Sequence, residues 1–302
     1  MYPYILAIMS VFFWSANVVV GNALVHQLMP WQIAFIRWAI ACVCFLPFTW
    51  KQLYKSLPYI RHHILWISFT AFIGITLCNT FVYYASETVK SVDLSLIGVT
   101  GPIFLILFAK LAGDIQLSKR QILGFLCTIV GLFIVILHGR LENIKTFQFA
   151  VGDLWMLAMA ASFGLYSFLM TKRPVNISQN TTLIWLLLLG CIFSIPFFCI
   201  ETFFYPITKD VILSQPVILI MLYMGIFNSL TAYLCWNRAI DSGHPVKIAM
   251  LYYLMPIFSA IEAHFFLQEK LYLSQLYGGM VILFGIYLVN KSTSNSNVEK
   301  RQ

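Results

Sequence analysis

Arg37 and Glu262 lie where charge is least welcome, each inside a run of apolar side chains. An arginine in the middle of a membrane helix costs at least about 2.5 kcal/mol, so its guanidinium must face protein or water. There it could anchor a substrate carboxylate, or serve structure by satisfying helix carbonyls. Glu262, with His264 two residues on, could take up and release a coupling proton; the plainer role is a hydrated acid near a helix end. Around these charges the sequence spaces out polar and aromatic residues suited to lining a site. Trp14 and Asn17 fall within one turn. Asn79 and Tyr83 share a helical face with Glu87, Tyr233 and Asn237 share one with Ser229 and Trp236, and Tyr166 stands on a further segment. Amides and phenols away from water need partners, so these faces should look inward. A substrate held there would meet aromatic walls and a few fixed polar groups.

Other chemistries find less support. The seven cysteines are odd in number and contain no CxxC pair, which gives neither a disulfide framework nor a zinc site. No glycine-rich nucleotide loop is present, so no cofactor and no ATP-driven step is expected. The eleven acids form no DxxD-type cluster, and no Ser/His or His/Asp constellation accompanies them. An integral-membrane enzyme acting on a lipid or prenyl substrate is therefore the alternative rather than the leading expectation.

The elements that must position these residues are membrane helices. Hydrophobic residues make up 60% of the 302 and charged residues only 10%, against about 25% charged in an ordinary soluble domain. Ten segments are apolar over about the 20 residues a bilayer core requires: 4–24, 31–50, 64–84, 93–112, 121–138, 151–171, 181–200, 215–237, 246–267 and 272–290. The tail 291–302 is polar and is expected to be a disordered cytoplasmic extension.

The chain also repeats itself. A shift of 154 carries Ala85 onto Ala239, Pro102 onto Pro256, Gln121 onto Gln275, Gly124 onto Gly278 and Gly131 onto Gly285. Two units result, 4–138 and 151–290, of five spans each. Five is odd, so the second unit enters the membrane upside down, and an all-α integral membrane fold of ten helices in two inverted repeats follows. Many secondary carriers are built this way, with the substrate near the midplane between the halves. Pro102 and Pro256 fall inside spans at matching depths, where a lost backbone bond bends the helix, and are candidate hinges. The glycines at seven-residue spacing predict close packing of the fifth and tenth helices, within one chain or across a homodimer.

Lysine and arginine count 12 in the even-numbered loops and tail against 5 in the odd-numbered loops, which places both termini in the cytoplasm. The net charge of +8 is spread over these short loops, where it suits anionic lipid better than nucleic acid.

Three stretches carry a family resemblance. Pro-Trp-Gln-Ile-Ala-Phe-Ile-Arg-Trp-Ala-Ile-Ala at 30–41 resembles the second-helix signature of the drug/metabolite transporter superfamily, EamA type. Trp-Ser-Ala-Asn at 14–17 is similar to its first-helix motif, and Gln-Glu-Lys-Leu at 268–271 with Gln275, Gly278 and Gly285 to the end of its second repeat. Ile115 departs from the pattern, standing where an acid matching Glu269 would be usual. The resemblance implies ten helices and a multi-pass carrier of the bacterial inner membrane, exporting a small metabolite such as an amino acid or drug-like compound by alternating access, as monomer or homodimer.

Overall fold

The computed structural model describes residues 2–114, 118–137, 150–174, 178–242 and 251–299, and every regular element among them is a helix. They are α1 (Tyr2–Leu24), α2 (Pro30–His62), α3 (Ile64–Ser86), α4 (Ser91–Leu111), α5 (Lys119–Ile136), α6 (Val151–Thr171) and α7 (Gln179–Phe204). After a one-turn helix at Lys209–Ile212 come α8 (Gln215–Tyr223, Met224–Thr231 and Ala232–Ser242), α9 (Leu251–Leu267) and α10 (Leu273–Glu299). Seven of these, α1 to α4 and α6 to α8, are long and apolar enough to cross a membrane; α9 and α10 carry shorter apolar stretches, and α5 has 18 residues.

Two boundaries differ from the sequence expectation. α2 runs to His62 through Pro58 instead of stopping at residue 50. Proline orphans the carbonyl four residues back, here that of Tyr54, which is 77% exposed, so the helix can continue past it. α10 continues to Glu299, past residue 290, and no proline or glycine lies beyond Gly285 to stop it.

The duplication reappears in the hydrogen bonds. Ser118 N donates to Gln121 Oε1 at 2.8 Å at the head of α5, and 154 residues later Tyr272 N donates to Gln275 Oε1 at 2.9 Å at the head of α10. α3 widens into a π-helix over Phe72–Leu77, and α8 does so over Met224–Thr231, which covers the image of the first. α4 breaks between Gly98 and Gly101, and α9 opens with a 3₁₀ turn at Leu251–Leu254.

Packing follows the same symmetry. α3 and the second half of α4 lie on α6, and their images α8 and α9 lie on α1. The pairs α2–α7 and α5–α10 each join an element to its own image. A Cβ added to Gly131 would meet Gly278 O at 2.8 Å, and one added to Gly285 would meet Gly124 O at 2.6 Å. As one number falls by seven the other rises by seven, so α5 and α10 run antiparallel. α2 and α7 do too, since Gln32 bonds the Tyr205 carbonyl while Cys42 bonds that of Leu187. Elements related by the repeat thus point in opposite directions, which is what inversion of the second unit requires. The glycine contacts lie within one chain.

The connections sort by end. Ser91 N donates to Glu269 Oε1, Gln275 Nε2 to Asp93 Oδ1 and Gly152 N to Thr88 Oγ1, all at the end holding the odd-numbered connections. At the opposite end Lys172 pairs with Asp114 at 2.7 Å.

Candidate functional site

Arg37 sits about a quarter of the way along α2 and is 1% exposed, with its guanidinium enclosed by three other helices. Nε donates to Ser229 Oγ at 2.8 Å, inside the π segment of α8. Nη1 donates to Asn17 Oδ1 of α1 at 2.8 Å and to the Tyr83 hydroxyl of α3, and Nη2 to Asn79 Oδ1 of α3 at 3.0 Å. Tyr83 also donates to Asn17 Oδ1 at 2.9 Å, and the guanidinium lies 4.5 Å from the Trp38 ring centre. Every acceptor is neutral. Of five guanidinium N–H groups, four have partners here and one on Nη2 has none among the described residues. The cage joins both repeats through one side chain.

Beside the cage lies a cavity of about 60 Å³. Asn17 and Asn79, which hold Arg37, form its polar end together with Asn228 and the phenol of Tyr233. Asn228 is fully buried; its Nδ2 donates to the Phe13 carbonyl, while its Oδ1 has no partner among the described residues. The aromatic side is Trp14, Phe163 and Tyr252, with Trp14 packed edge-on to Tyr233 at 5.3 Å between ring centres. Cys78, Met156, Met159 and Met255 supply a sulfur-bearing side.

The residues singled out from sequence therefore divide. Trp14, Asn17, Asn79 and Tyr233 line this cavity, and Tyr83 belongs to the Arg37 cage beside it. Tyr166 stands apart, its ring pressed on the α3 π segment so closely that a Cβ at Gly74 would come within 2.1 Å of it. The side chain of Asn237, and Ile115, lie outside the described residues.

Glu262 is 4% exposed on α9, facing Ser15 of α1 and Tyr223 of α8. Neither of its oxygens has a hydrogen bond of normal geometry among the described residues; the Ser15 hydroxyl, which donates to the Phe12 carbonyl at 2.8 Å, is the polar group facing it. Other buried acids are all provided for. Glu201 accepts from Gln32 N at the start of α2 and from the Tyr84 hydroxyl, and Asp93 accepts from Gln275. A helix N-terminus suits a carboxylate by its unpaired N–H groups and its dipole. Glu262 has no such support.

Pro102 and Pro256 occupy the first turn of their helical segments, not a helix interior. No backbone bond is lost there, because the first N–H groups of a helix have no intrahelical partner anyway. The interruption comes just before each proline, so the bend expected from a mid-helix proline is replaced by a fresh helix start at matching places in both repeats.

Sequence reasoning missed Asn228, Phe163, Tyr252 and the three methionines. One signal was available for Asn228: it is the repeat image of Gly74, so both mark the middle of a π segment.

The EamA-like transporter family matches residues 1–137 and 150–291. A transporter of Archaeoglobus fulgidus described as uncharacterized is 24% identical over 285 residues, 94% of this chain and 96% of its own length. A probable amino-acid metabolite efflux pump of Escherichia coli is 23% identical over 292 residues, 94% of this chain and 93% of its own. One solved crystal structure superposes with a TM-score of 0.63 over 98% of both chains at 15% identity, which speaks to the fold alone. The chain belongs to the EamA-like transporter family.

Proposed function

We propose that this EamA-family transporter is a secondary carrier of the bacterial inner membrane, with both termini in the cytoplasm. It exports a small carboxylate-bearing metabolite, with amino acids the first class to test, by alternating access. The carrying observation is the Arg37 cage. A guanidinium wholly inside the bundle, surrounded by neutral acceptors from both repeats and touching two cavity-lining asparagines, is an electropositive pole with no carboxylate of its own. A ligand carboxylate could exchange with Asn79 at Nη2, and Asn228 Oδ1 could accept from an amino group while the aromatic side holds an apolar body. The cavity as it stands is too small for such a ligand, so the helices around it must part. Arg37 ties α1, α2 and α3 to α8, and a ligand that rearranges this cage alters contacts between the two repeats. Coupling is assigned to Glu262, the buried acid without a well-formed hydrogen bond among the described residues, with protons as the driving ion.

Counterflow in liposomes tests this. Purified protein should show trans-stimulated uptake of a labelled amino acid, and an outward-directed proton gradient, with the lumen acidic, should drive its accumulation in exchange for protons. Absence of exchange across amino acids and related carboxylates, or product formation without exchange, would overturn the reading.

A further inference from the structure

The central cavity has a side that neither the proposed carboxylate chemistry nor proton coupling uses. Cys78 of α3, Met156 and Met159 of α6 and Met255 of α9 all line it, and each is at most 5% exposed. Three helices from both repeats thus bring sulfur-bearing side chains to one small space. Two contacts draw the set together. The Cys78 thiol donates to the Met159 carbonyl at 3.8 Å, and a Cβ on Gly98 would meet the terminal methyls of Met156 at 2.7 Å and Met159 at 3.1 Å, so both chain ends converge on one spot of α4. Thiol and thioether are soft donors that favour Cu(I) and its redox-inert analogue Ag(I), whereas harder cations prefer oxygen and imidazole. Among the described residues no group of three His, Cys, Asp or Glu could hold a metal, so harder divalent ions find no comparable set.

Size agrees with a small occupant. About 60 Å³ is small for an amino acid and ample for a single ion. Charge is the obvious objection, because Arg37 bonds Asn79, the residue following Cys78. Exchange of the thiol proton for the metal answers it. The S–H bond breaks, an S–Ag bond forms, the proton passes to the buffer, and the net charge beside Arg37 is unchanged. No electron is transferred.

We propose that the central cavity is a binding site for one monovalent soft cation, Cu(I) or Ag(I), held by the Cys78 thiolate with thioether ligation from Met156, Met159 and Met255.

The test uses the full chain in detergent with Cys42, Cys44, Cys127, Cys191, Cys199 and Cys235 replaced by alanine. Titration with silver nitrate, followed by calorimetry in two buffers of different ionisation enthalpy, should give one Ag(I) bound and one proton released per chain. Cys78→Ala in that background should abolish binding. Met159→Leu and Met255→Leu keep side-chain volume and should each weaken binding about tenfold or more, with elution volume and thermal midpoint near the parent's. Binding that survives Cys78→Ala overturns the site. Affinity unchanged in the doubly substituted Met159→Leu, Met255→Leu chain reduces it to capture by an isolated thiol, and failure of the parent to bind overturns it as well. A carrier that exchanges amino acids yet binds no silver would leave the proposed function standing and this inference refuted.

Discussion

Two of the buried charges, Arg37 of the first repeat and Glu262 of the second, are housed in opposite ways. Arg37 of the first repeat is met by four side chains from three helices, while Glu262 of the second is met by no hydrogen bond among the described residues. Burying a charge is tolerable only with compensation. The arginine has it built in, whereas the acid is tolerable there when it carries a proton. The lesson is that depth in the membrane does not by itself mark a functional ion. The number of partners separates a charge that is held in place from one that is not.

The sharpest way to break that contrast is to remove the arginine. Arg37→Met would leave Asn17, Asn79, Ser229 and Tyr83 without their shared donor, and a loss on the order of 3 kcal/mol or more is expected. A marked fall in thermal midpoint and in monodisperse yield would show it. A parent-like midpoint would mean that the cage is not structural. Glu262→Gln comes next and is expected to separate from it. The folded yield should stay near the parent's, gradient-driven accumulation should disappear, and counterflow should persist; accumulation that still follows the pH gradient would remove Glu262 from coupling.

Smaller effects refine the picture. Asn79→Ala takes one acceptor from Arg37 and one polar group from the cavity, and should lower exchange severalfold. Leu126→Ala, at a position 55% exposed on α5, should leave exchange unchanged, and equal losses in both would remove the site assignment. Gly131→Ala drives a methyl into the backbone of α10 at Ile282 N, 2.7 Å away, and should cost about 1–3 kcal/mol in a denaturation series. The smallest effect belongs to Lys172→Ala. Its partner pair with Asp114 is partly solvent-exposed, so at most about 1 kcal/mol, reduced by salt, should be lost.

The sequence made the frame legible because duplication leaves a constant offset. Gly131 and Gly278 were visible as marks of close packing since small side chains have few other reasons to recur at fixed spacing. Arg37 and Glu262 stood out because charge in an apolar run is rare. Their opposite surroundings were not legible, because Ser229 reaches Arg37 only through a change of helical pitch that no residue type announces. The sulfur and aromatic sides of the cavity were hidden for a related reason: Met156, Met159 and Phe163 look like any membrane-helix residue until neighbouring helices are placed. The prolines misled in detail because a helix interior and a first turn differ in what precedes the ring, and at Pro102 the preceding residues end one helix and begin the next.

The two π segments also set where neighbouring side chains point. A π turn holds one residue more per hydrogen-bonded loop than an α turn, so residues beyond it are rotated relative to a regular helix. The segment at Met224–Thr231 covers the image of Phe72–Leu77 once the offset of 154 is applied. Both repeats thus turn the same stretch of the same helix, and Asn79 just past one segment and Ser229 within the other meet Arg37 from the two halves of the chain.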